Sequence, residues 1–373
     1  MAGCIGEYLK LRQGFAELTA VYDKALEYCT EEAPAEFRAV FLDARGCALR
    51  GLARYPEAVA AHEEALRVYR AERHLLGEAE TLTNLGHTLH EMREIEQAVL
   101  VLQSAVVLQS KAGNCRGEGA ALSNLGRSLD ELGRHEEAVG VFRRDIEICR
   151  LIGDWHGEAV TQNCLGLALR ALERAGEAAT AHAAARDAFR RAGDQHGVVM
   201  ALTNLSTALR AGELGDGLDV LGEAIALCRD LGDKRAEGIA LTNLGVSQLQ
   251  DGSPREAART LMRASNLLEE VGAAHGKAKA LMNLSLAYSA LELPDRAAEA
   301  LRKAIPLLQA ARDRHREGHA RFLLASALRV TAPEEAISLG TAAVALLGEM
   351  HDEALTKRAT ELLATMRKSV DGR

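Results

Sequence analysis

The stretch LTNLGHTL, residues 82–89, returns as LSNLGRSL at residues 122–129 and recurs with changes along the chain. Its central Leu-Gly pair, or a close equivalent, moves by 40 residues at each return, with one step of 39. The pairs are Leu85-Gly86, Leu125-Gly126, Leu165-Gly166, Leu205-Ser206, Leu244-Gly245 and Leu284-Ser285. A fixed period of this length predicts an array of stacked repeats.

The same column extends beyond these pairs in both directions. It reaches back to Arg45-Gly46 and Ile5-Gly6 and forward to Leu324-Ala325, so repeats occupy nearly all of the 373 residues. We expect one solenoid domain over residues 1–373, with a truncated first repeat at 1–34, eight full repeats at 35–350, and a capping helix with a tail at 351–373. Because Cys4-Ile5-Gly6 aligns with the middle of a first helix, the sequence predicts a fragment of a longer parent or a shortened gene product.

Each unit divides into two amphipathic helices. In the unit quoted above, Leu82, Leu85 and Leu89 share one helix face, and a turn leads to a second amphipathic run from about residue 95 to 110. Units end on Gly followed by Asp or Asn, which suits a left-handed helix end and the N-cap of the next helix. This phrase stands at Gly113-Asn114, Gly153-Asp154, Gly193-Asp194 and Gly232-Asp233. The sequence therefore predicts an all-α stack of antiparallel helix pairs.

The repeat can be compared with a known family. The Leu-Gly pair, the hydrophobic residue three positions later and the small residues of the second helix resemble the tetratricopeptide repeat, in a 40-residue form. The resemblance implies a right-handed superhelical solenoid whose first helices line a concave groove for protein or peptide partners. The phrase from Gly153 to Gly166 also resembles the repeat arms of bacterial signal-transduction ATPases and antibiotic-pathway regulators. The sequence has no nucleotide-binding part, so this likeness extends to the arm alone.

Composition limits the classes of partner. A net charge of -8 argues against a general nucleic-acid surface, which needs a concentrated field of Lys and Arg. No apolar run approaches the ~20 residues that span a bilayer, and the N-terminus lacks a secretory signal. Seven cysteines without a Cys-x-x-Cys pair fit reduced thiols better than disulfides or a zinc site. We therefore expect a cytoplasmic protein that uses no cofactor and contacts neither nucleic acid nor membrane; a homo-oligomer stays open.

Two local features invite a sharper interpretation. The spacing Gly113-x-x-x-Gly117 recurs at later turns but lacks the Lys-Ser/Thr pair that completes a phosphate-binding loop. His87 and His90 with Glu91 offer two or three metal ligands, yet no further ligand is fixed by spacing. The favoured interpretations are turn geometry for the glycines and solvated groove residues for the histidines.

The residues that face away from the packing side of a first helix form a second stripe, which we call the inner stripe. In the quoted unit it holds Glu80, Asn84, His87 and Glu91, because steps of four, three and four residues return to nearly the same helical angle. Asparagine recurs in this stripe at Asn84, Asn124, Asn204, Asn243 and Asn283. Since an amide both donates and accepts, we predict that these side chains bind the main chain of an extended peptide; bonding to neighbouring repeats or to water is the alternative. Peptide-binding tetratricopeptide repeat proteins carry Asn at the matching place, so the resemblance points the same way.

The rest of the predicted groove is apolar or cationic. The apolar members are Val160, Leu167, Met200, Ile239, Val246 and Leu286. We expect them to receive an apolar segment of a partner, since a helix that is apolar on nearly all sides is normally covered. Arg127 lies in the inner stripe, and Arg170 and Arg210 lie about 80° from it on the helical wheel. These arginines either bind an acidic group of the partner or solvate the rim.

These patterns favour a non-enzymatic protein- or peptide-binding scaffold, with the sensing arm of a bacterial regulator as one form of it. Two other classes stay open: a small-molecule sensor that uses the apolar part of the groove, and an enzyme built on the repeat scaffold. The sequence specifies no Ser/His/Asp, Cys/His or paired-carboxylate set beyond chance proximity.

Overall fold

The computed structural model describes residues 14–29, 34–213, 215 and 217–371, without the side chains of residues 369–371. Over these ranges the chain forms 18 α-helices and no strand. In chain order they are α1 (Phe15–Glu27), α2 (Ala35–Gly51), α3 (Tyr55–Ala71), α4 (Leu75–Glu91), α5 (Ile95–Lys111), α6 (Cys115–Glu131), α7 (His135–Ile152), α8 (Trp155–Ala171), α9 (Ala175–Ala192), α10 (Gln195–Ala211), α11 (Gly217–Asp230), α12 (Lys234–Gln250), α13 (Pro254–Glu270), α14 (Ala274–Ala290), α15 (Pro294–Ala310), α16 (Arg314–Leu328), α17 (Pro333–Glu349) and α18 (Glu353–Asp371). The first helix expected around Cys4-Ile5-Gly6 lies outside the described residues.

The fold is an all-α repeat solenoid, as the sequence predicts. Helices α2 to α17 form eight pairs, whose even-numbered members are the first helices and odd-numbered members the second helices. The chain divides into two compact units. Unit 1 ends at Asn204 and unit 2 begins at Leu205, so the boundary lies within α10. In unit 1 successive helices from α1 to α9 pack on one another along the chain, and in unit 2 the same holds from α11 to α18.

The Leu-Gly column is the place where the two helices of a pair come closest. The side chain 16 residues after each glycine fills the space that a Cβ would need. Five pairs show this contact: Gly46 with His62, Gly86 with Leu102, Gly126 with Phe142, Gly166 with His182, and Gly245 with Leu261. A bulky residue seated in a glycine notch fixes the register of the pair, which explains why the period is kept so strictly.

The predicted breakers and caps are confirmed. Gly153 ends α7 with a φ of +72°, a conformation in which a Cβ would be strained. Asp154 then accepts a hydrogen bond from the main-chain nitrogen of Gly157 at 2.8 Å and caps α8. Side-chain caps of the same kind begin four other first helices and α18, from Asn114, Asp194, Asp233, Asp313 and Asp352.

An ion pair across each of several turns joins a second helix to the next first helix. Glu158 is only 2% exposed and binds Arg150 at 2.7 Å. The pairs Arg70–Glu78 and Arg229–Glu237 repeat this arrangement, also at 2.7 Å. Glu78, Glu158 and Glu237 are therefore structural residues, because each carboxylate is committed to holding its turn.

Candidate functional site

The predicted groove residues all lie outside the buried core. In unit 1, Asn84, Asn124, Val160, Leu167 and Asn204 are half-buried, and Arg127, Arg170 and Met200 are exposed. In unit 2, Arg210, Asn243, Val246 and Asn283 are half-buried, and Ile239 and Leu286 are exposed. The exposed fractions of Met200 and Ile239 are both 44%, and that of Leu286 is 39%. Each unit therefore presents apolar side chains to solvent on its first helices.

The asparagines of the inner stripe fall into two groups. Asn84 donates from Nδ2 to Oδ2 of Asp43 at 2.8 Å, and Asn204 donates from Nδ2 to Oδ1 of Asn163 at 2.9 Å. Both acceptors belong to the preceding first helix, so these two amides join neighbouring repeats. This is the alternative that the sequence leaves open, and it applies at two of the five positions.

The two acceptors belong to equivalent buried clusters that lie three repeats apart. His62 is fully buried, and its Nδ1 lies 2.6 Å from Oδ1 of Asp43. His182 is also fully buried, and its Nδ1 lies 3.0 Å from Oδ1 of Asn163. Because an amide oxygen only accepts, Nδ1 of His182 is the donor. Each cluster ties a histidine, its acceptor and an inner-stripe asparagine into one network.

The ring of His182 is held neutral by its surroundings. Burial, with a smaller contribution from Arg170, lowers its pKa from 6.5 to about 4. Its Nε2 has no hydrogen-bond partner among the described residues and lies in the notch of Gly166. A proton on Nε2 would find no acceptor there, so the neutral ring fits this site.

The side chains of Asn124, Asn243 and Asn283 make no hydrogen bond to any other described residue. Two of these amides lack a described partner because a threonine occupies the position that Asp43 and Asn163 occupy in the clusters. Thr83 precedes Asn124 by one repeat, and its hydroxyl donates back to the main chain of its own helix at 2.9 Å. Thr242 does the same, at 2.8 Å, one repeat before Asn283. The donors and acceptors of these amides remain accessible to a ligand.

The polar end of the inner stripe in unit 1 is internally bonded. Nδ1 of His87 lies 2.9 Å from the guanidinium of Arg50, and its Nε2 lies 3.2 Å from Glu91. Burial and the nearby charges of Arg50 and Arg127 lower the pKa of His87 to about 4. Nδ1 of His90 instead lies 3.0 Å from Oγ of Ser128. The two histidines thus point to different partners, and no group of three or more His, Cys, Asp or Glu among the described residues is placed to hold a metal.

The three predicted arginines have different surroundings. Arg127 and Arg170 form no ion pair or hydrogen bond with a described residue, although Arg127 lies close enough to His87 and His90 to lower their pKa values. Arg210 donates to Oγ of Ser247 at 3.0 Å. Arg127 and Arg170 therefore remain available to an acidic group, whereas Arg210 is at least partly engaged in the fold.

Sequence models of one family match the chain at three places. Models described as tetratricopeptide repeat match residues 39–72, 121–154 and 278–307, which cover parts of α2–α3, α6–α7 and α14–α15. The matches fall on the same helix pairs that the structure shows. The chain is a tetratricopeptide repeat protein.

Solved structures share the fold of this tetratricopeptide repeat protein at low identity. A signal-transduction ATPase with a tetratricopeptide repeat sensor from Pyrococcus horikoshii matches with a TM-score of 0.58 and 16% identity, over 84% of this chain and 48% of its own. The apo form of RapI matches with a TM-score of 0.55 and 13% identity, over 74% of this chain and 99% of its own. Aspartyl phosphate phosphatase F from Bacillus subtilis matches with a TM-score of 0.54 and 14% identity, over 77% and 79%. Identities of this size support the shared fold alone, and a comparison with curated protein sequences found no match.

The tetratricopeptide repeat protein also has a cleft in unit 2 that the sequence analysis missed. It lies between α12 and the start of α14, has a volume of about 480 Å³, and contains the predicted groove residues Ile239 and Asn243. Arg235 and Lys279 line it, and no Asp or Glu does. A signal was present in the sequence: Ala273 stands where the turns before α6, α8, α10, α12 and α16 carry an Asp or Asn cap, so an acid is missing next to these cations.

One strongly perturbed carboxylate outside the predicted groove is closed inside the fold. Burial raises the pKa of Asp145 to about 6, but this carboxylate is 1% exposed and accepts hydrogen bonds from Thr161 at 2.6 Å and Cys149 at 3.6 Å. A substrate has no access to it, so its role is to join α7 to α8. The described helices are also too short or too polar for any of them to traverse a lipid bilayer.

Proposed function

We propose that this chain is a regulatory binding domain in which the first helices hold an extended peptide segment of a partner. The observation that carries the proposal is the pairing, on the inner stripe of unit 2, of accessible amides with exposed apolar side chains. Asn243 lies four residues after Ile239 on α12, and Asn283 lies three residues before Leu286 on α14. Accessible amides suit the main chain of any peptide, and the apolar residues select some of its side chains.

The chemistry of these positions argues for a peptide rather than a compact ligand. Main-chain recognition requires donors and acceptors that the fold does not use, and Asn243 and Asn283 meet this condition. Ile239 and Leu286 are each more than a third exposed, so their burial by a partner would contribute about 25 cal/mol per Å² before the costs of ordering. The two amides and the two apolar side chains form a surface on which binding of an extended, partly apolar chain is favourable.

The regulatory part of the proposal draws on the similar structures. One is a signal-transduction ATPase with a repeat sensor, and another is a Rap protein in complex with competence and sporulation factor, at a TM-score of 0.50. The phosphatase activity in the name of a third similar structure belongs to that protein. We place the present chain among binding domains rather than enzymes, because the strongly perturbed groups Asp145, Cys149 and His182 are enclosed. The equally perturbed His87 is bonded to Arg50 and Glu91 within the fold. A cytoplasmic location belongs to the same proposal, in keeping with described cysteines that form no disulfide.

The experiment is a selection of peptides from a random library displayed on phage, followed by titration of a selected peptide. Ile239→Glu should weaken binding at least about tenfold, because a charge replaces an apolar contact that the peptide buries. Met262→Glu on the second helix α13 is the matched control, since Met262 has the same 44% exposure as Ile239. Equal affinity of both variants, with unchanged circular dichroism, would place the peptide elsewhere and refute the proposal.

A further inference from the structure

Arg235 lacks the acidic partner that its position has in other repeats. In three repeats the second residue of a first helix is a histidine that contacts the Asp capping the next even-numbered helix. The contacts are His156–Asp194 at 3.6 Å, His275–Asp313 at 2.9 Å and His315–Asp352 at 2.8 Å. Arg235 occupies this position on α12, and the corresponding cap residue is Ala273. The guanidinium therefore makes no ion pair or hydrogen bond with a described residue.

Lys279 faces the same cleft from α14 and is also without an ion pair among the described residues. Burial, and then the charge of Arg316, lower its pKa. The nearby acid that favours its charged form is Asp313, which already accepts from Arg316 at 2.6 Å and from His275 at 2.9 Å. The cleft therefore contains two cations, and the nearby carboxylate of Asp313 already accepts hydrogen bonds from other side chains.

Apolar surface adjoins these two cations. Ile239 and Val271 are 44% and 40% exposed, and both line the cleft. The amide of Asn243, a predicted groove residue, lies on the same wall, one helical turn beyond Ile239. A ligand that fills the cleft consequently meets positive charge, an aliphatic wall and an amide within one volume of about 480 Å³.

We infer that the cleft between Arg235 and Lys279 binds an acidic side chain within the extended peptide, next to an aliphatic residue that packs on Ile239 and Val271. This inference rests on the proposed function and adds the chemistry of the partner to it. Charge complementarity selects Asp or Glu, because a carboxylate supplies the anion that both cations lack. The acid belongs inside the peptide rather than at its end, since Asn283 and Leu286 continue the inner stripe along α14 past the cleft.

The test selects amidated peptides from a random library against the wild-type chain and against Arg235→Gln/Lys279→Gln. On the wild type we expect Asp or Glu at one fixed position beside an aliphatic residue. The double variant should still select peptides but without this acidic position. A wild-type-selected peptide should bind the double variant about tenfold or more weakly, because charge-assisted bonds are lost, and its affinity for the wild type should fall with added salt. Arg255→Gln/Arg259→Gln, on the exposed side of α13, removes the same charge elsewhere and should leave binding unchanged.

The outcomes separate this inference from the proposed function. If replacing the acidic residue of the peptide by its amide weakens binding to the wild type but not to Arg235→Gln/Lys279→Gln, the two cations hold that carboxylate. Peptides that bind the inner stripe without any acidic preference would overturn the inference and leave the proposed function standing. If acid selection persists on the double variant, the carboxylate is held elsewhere, with Arg127 and Arg170 as the next candidates. Failure to select any peptide counts against both.

Discussion

Adding a methyl group at Gly126 should destabilise the repeat formed by α6 and α7. The Cβ of Gly126→Ala would lie 2.6 Å from Cδ1 of Phe142 and overlap the ring. Phe142 is 1% exposed, so its ring cannot move away without disturbing its buried neighbours. Overpacking of this kind costs about 1–3 kcal/mol, while the better helix propensity of Ala returns up to ~1 kcal/mol.

A glycine in the same repeat isolates the packing cost. A Cβ at Gly140, within α7, would meet no atom within 4 Å. Gly140→Ala should therefore raise the free energy of unfolding by roughly 0.5–1 kcal/mol. The propensity gain cancels between the two variants, so Gly126→Ala should be less stable than Gly140→Ala by about 1–3 kcal/mol.

Urea denaturation followed by circular dichroism measures the difference, and hydrogen exchange of α6 and α7 localises it. Exchange is informative because repeat arrays lose stability locally, one repeat and its neighbours at a time. Equal stability of Gly126→Ala and Gly140→Ala would show that Phe142 does not fill the glycine notch. The explanation of the strict period by this contact would then be wrong.

Three further outcomes follow from the hydrogen-bond networks. Asn84→Ala should lower the free energy of unfolding by about 1–2 kcal/mol and Asn124→Ala by less than ~0.5 kcal/mol, since only the amide of Asn84 is bonded within the fold. The urea midpoints of the two variants measure this difference. Because burial lowers the folded-state pKa of His182 to about 4, the stability that its neutral ring contributes is complete above pH 6.5 and is lost as the pH falls towards 4. His182→Leu should remove this part of the acid sensitivity, so the urea midpoint of the variant should fall less between pH 7 and pH 5 than that of the wild type. Asp313→Ala should destabilise unit 2 by about 1–2 kcal/mol, since Asp313 caps α16 at the nitrogen of Arg316, and an unchanged thermal transition would contradict that role.

The sequence predicted the fold well because its signals are local and repeated. The column around Gly86 and Gly126 predicts the stacked repeats, and the structure adds the side chains that fill the space beside each glycine. Caps such as Asp154 could be assigned because a cap needs only residues three positions apart. Periodicity supplied both signals several times over.

The candidate site was harder to predict because it depends on which polar groups already form hydrogen bonds within the fold. Asn84 and Asn124 look equivalent in the sequence, but the acceptor for the first is Asp43, whereas the second lies beside a threonine that bonds within its own helix. Arg235 is available to a ligand because Ala273 stands at the cap position where an Asp would pair with it. Comparing each column of the repeat for its exceptions, rather than for its consensus, would have found both.

The most direct test of the central claim is the titration of a library-selected peptide into Asn243→Ala/Asn283→Ala by calorimetry. Neither amide is bonded within the described fold, so the double variant should keep its circular dichroism and thermal transition. If these side chains hold the peptide main chain, the binding free energy should weaken by about 1–3 kcal/mol in total, roughly a 5- to 150-fold loss of affinity. Unchanged affinity would show that the inner stripe of unit 2 does not bind the peptide backbone.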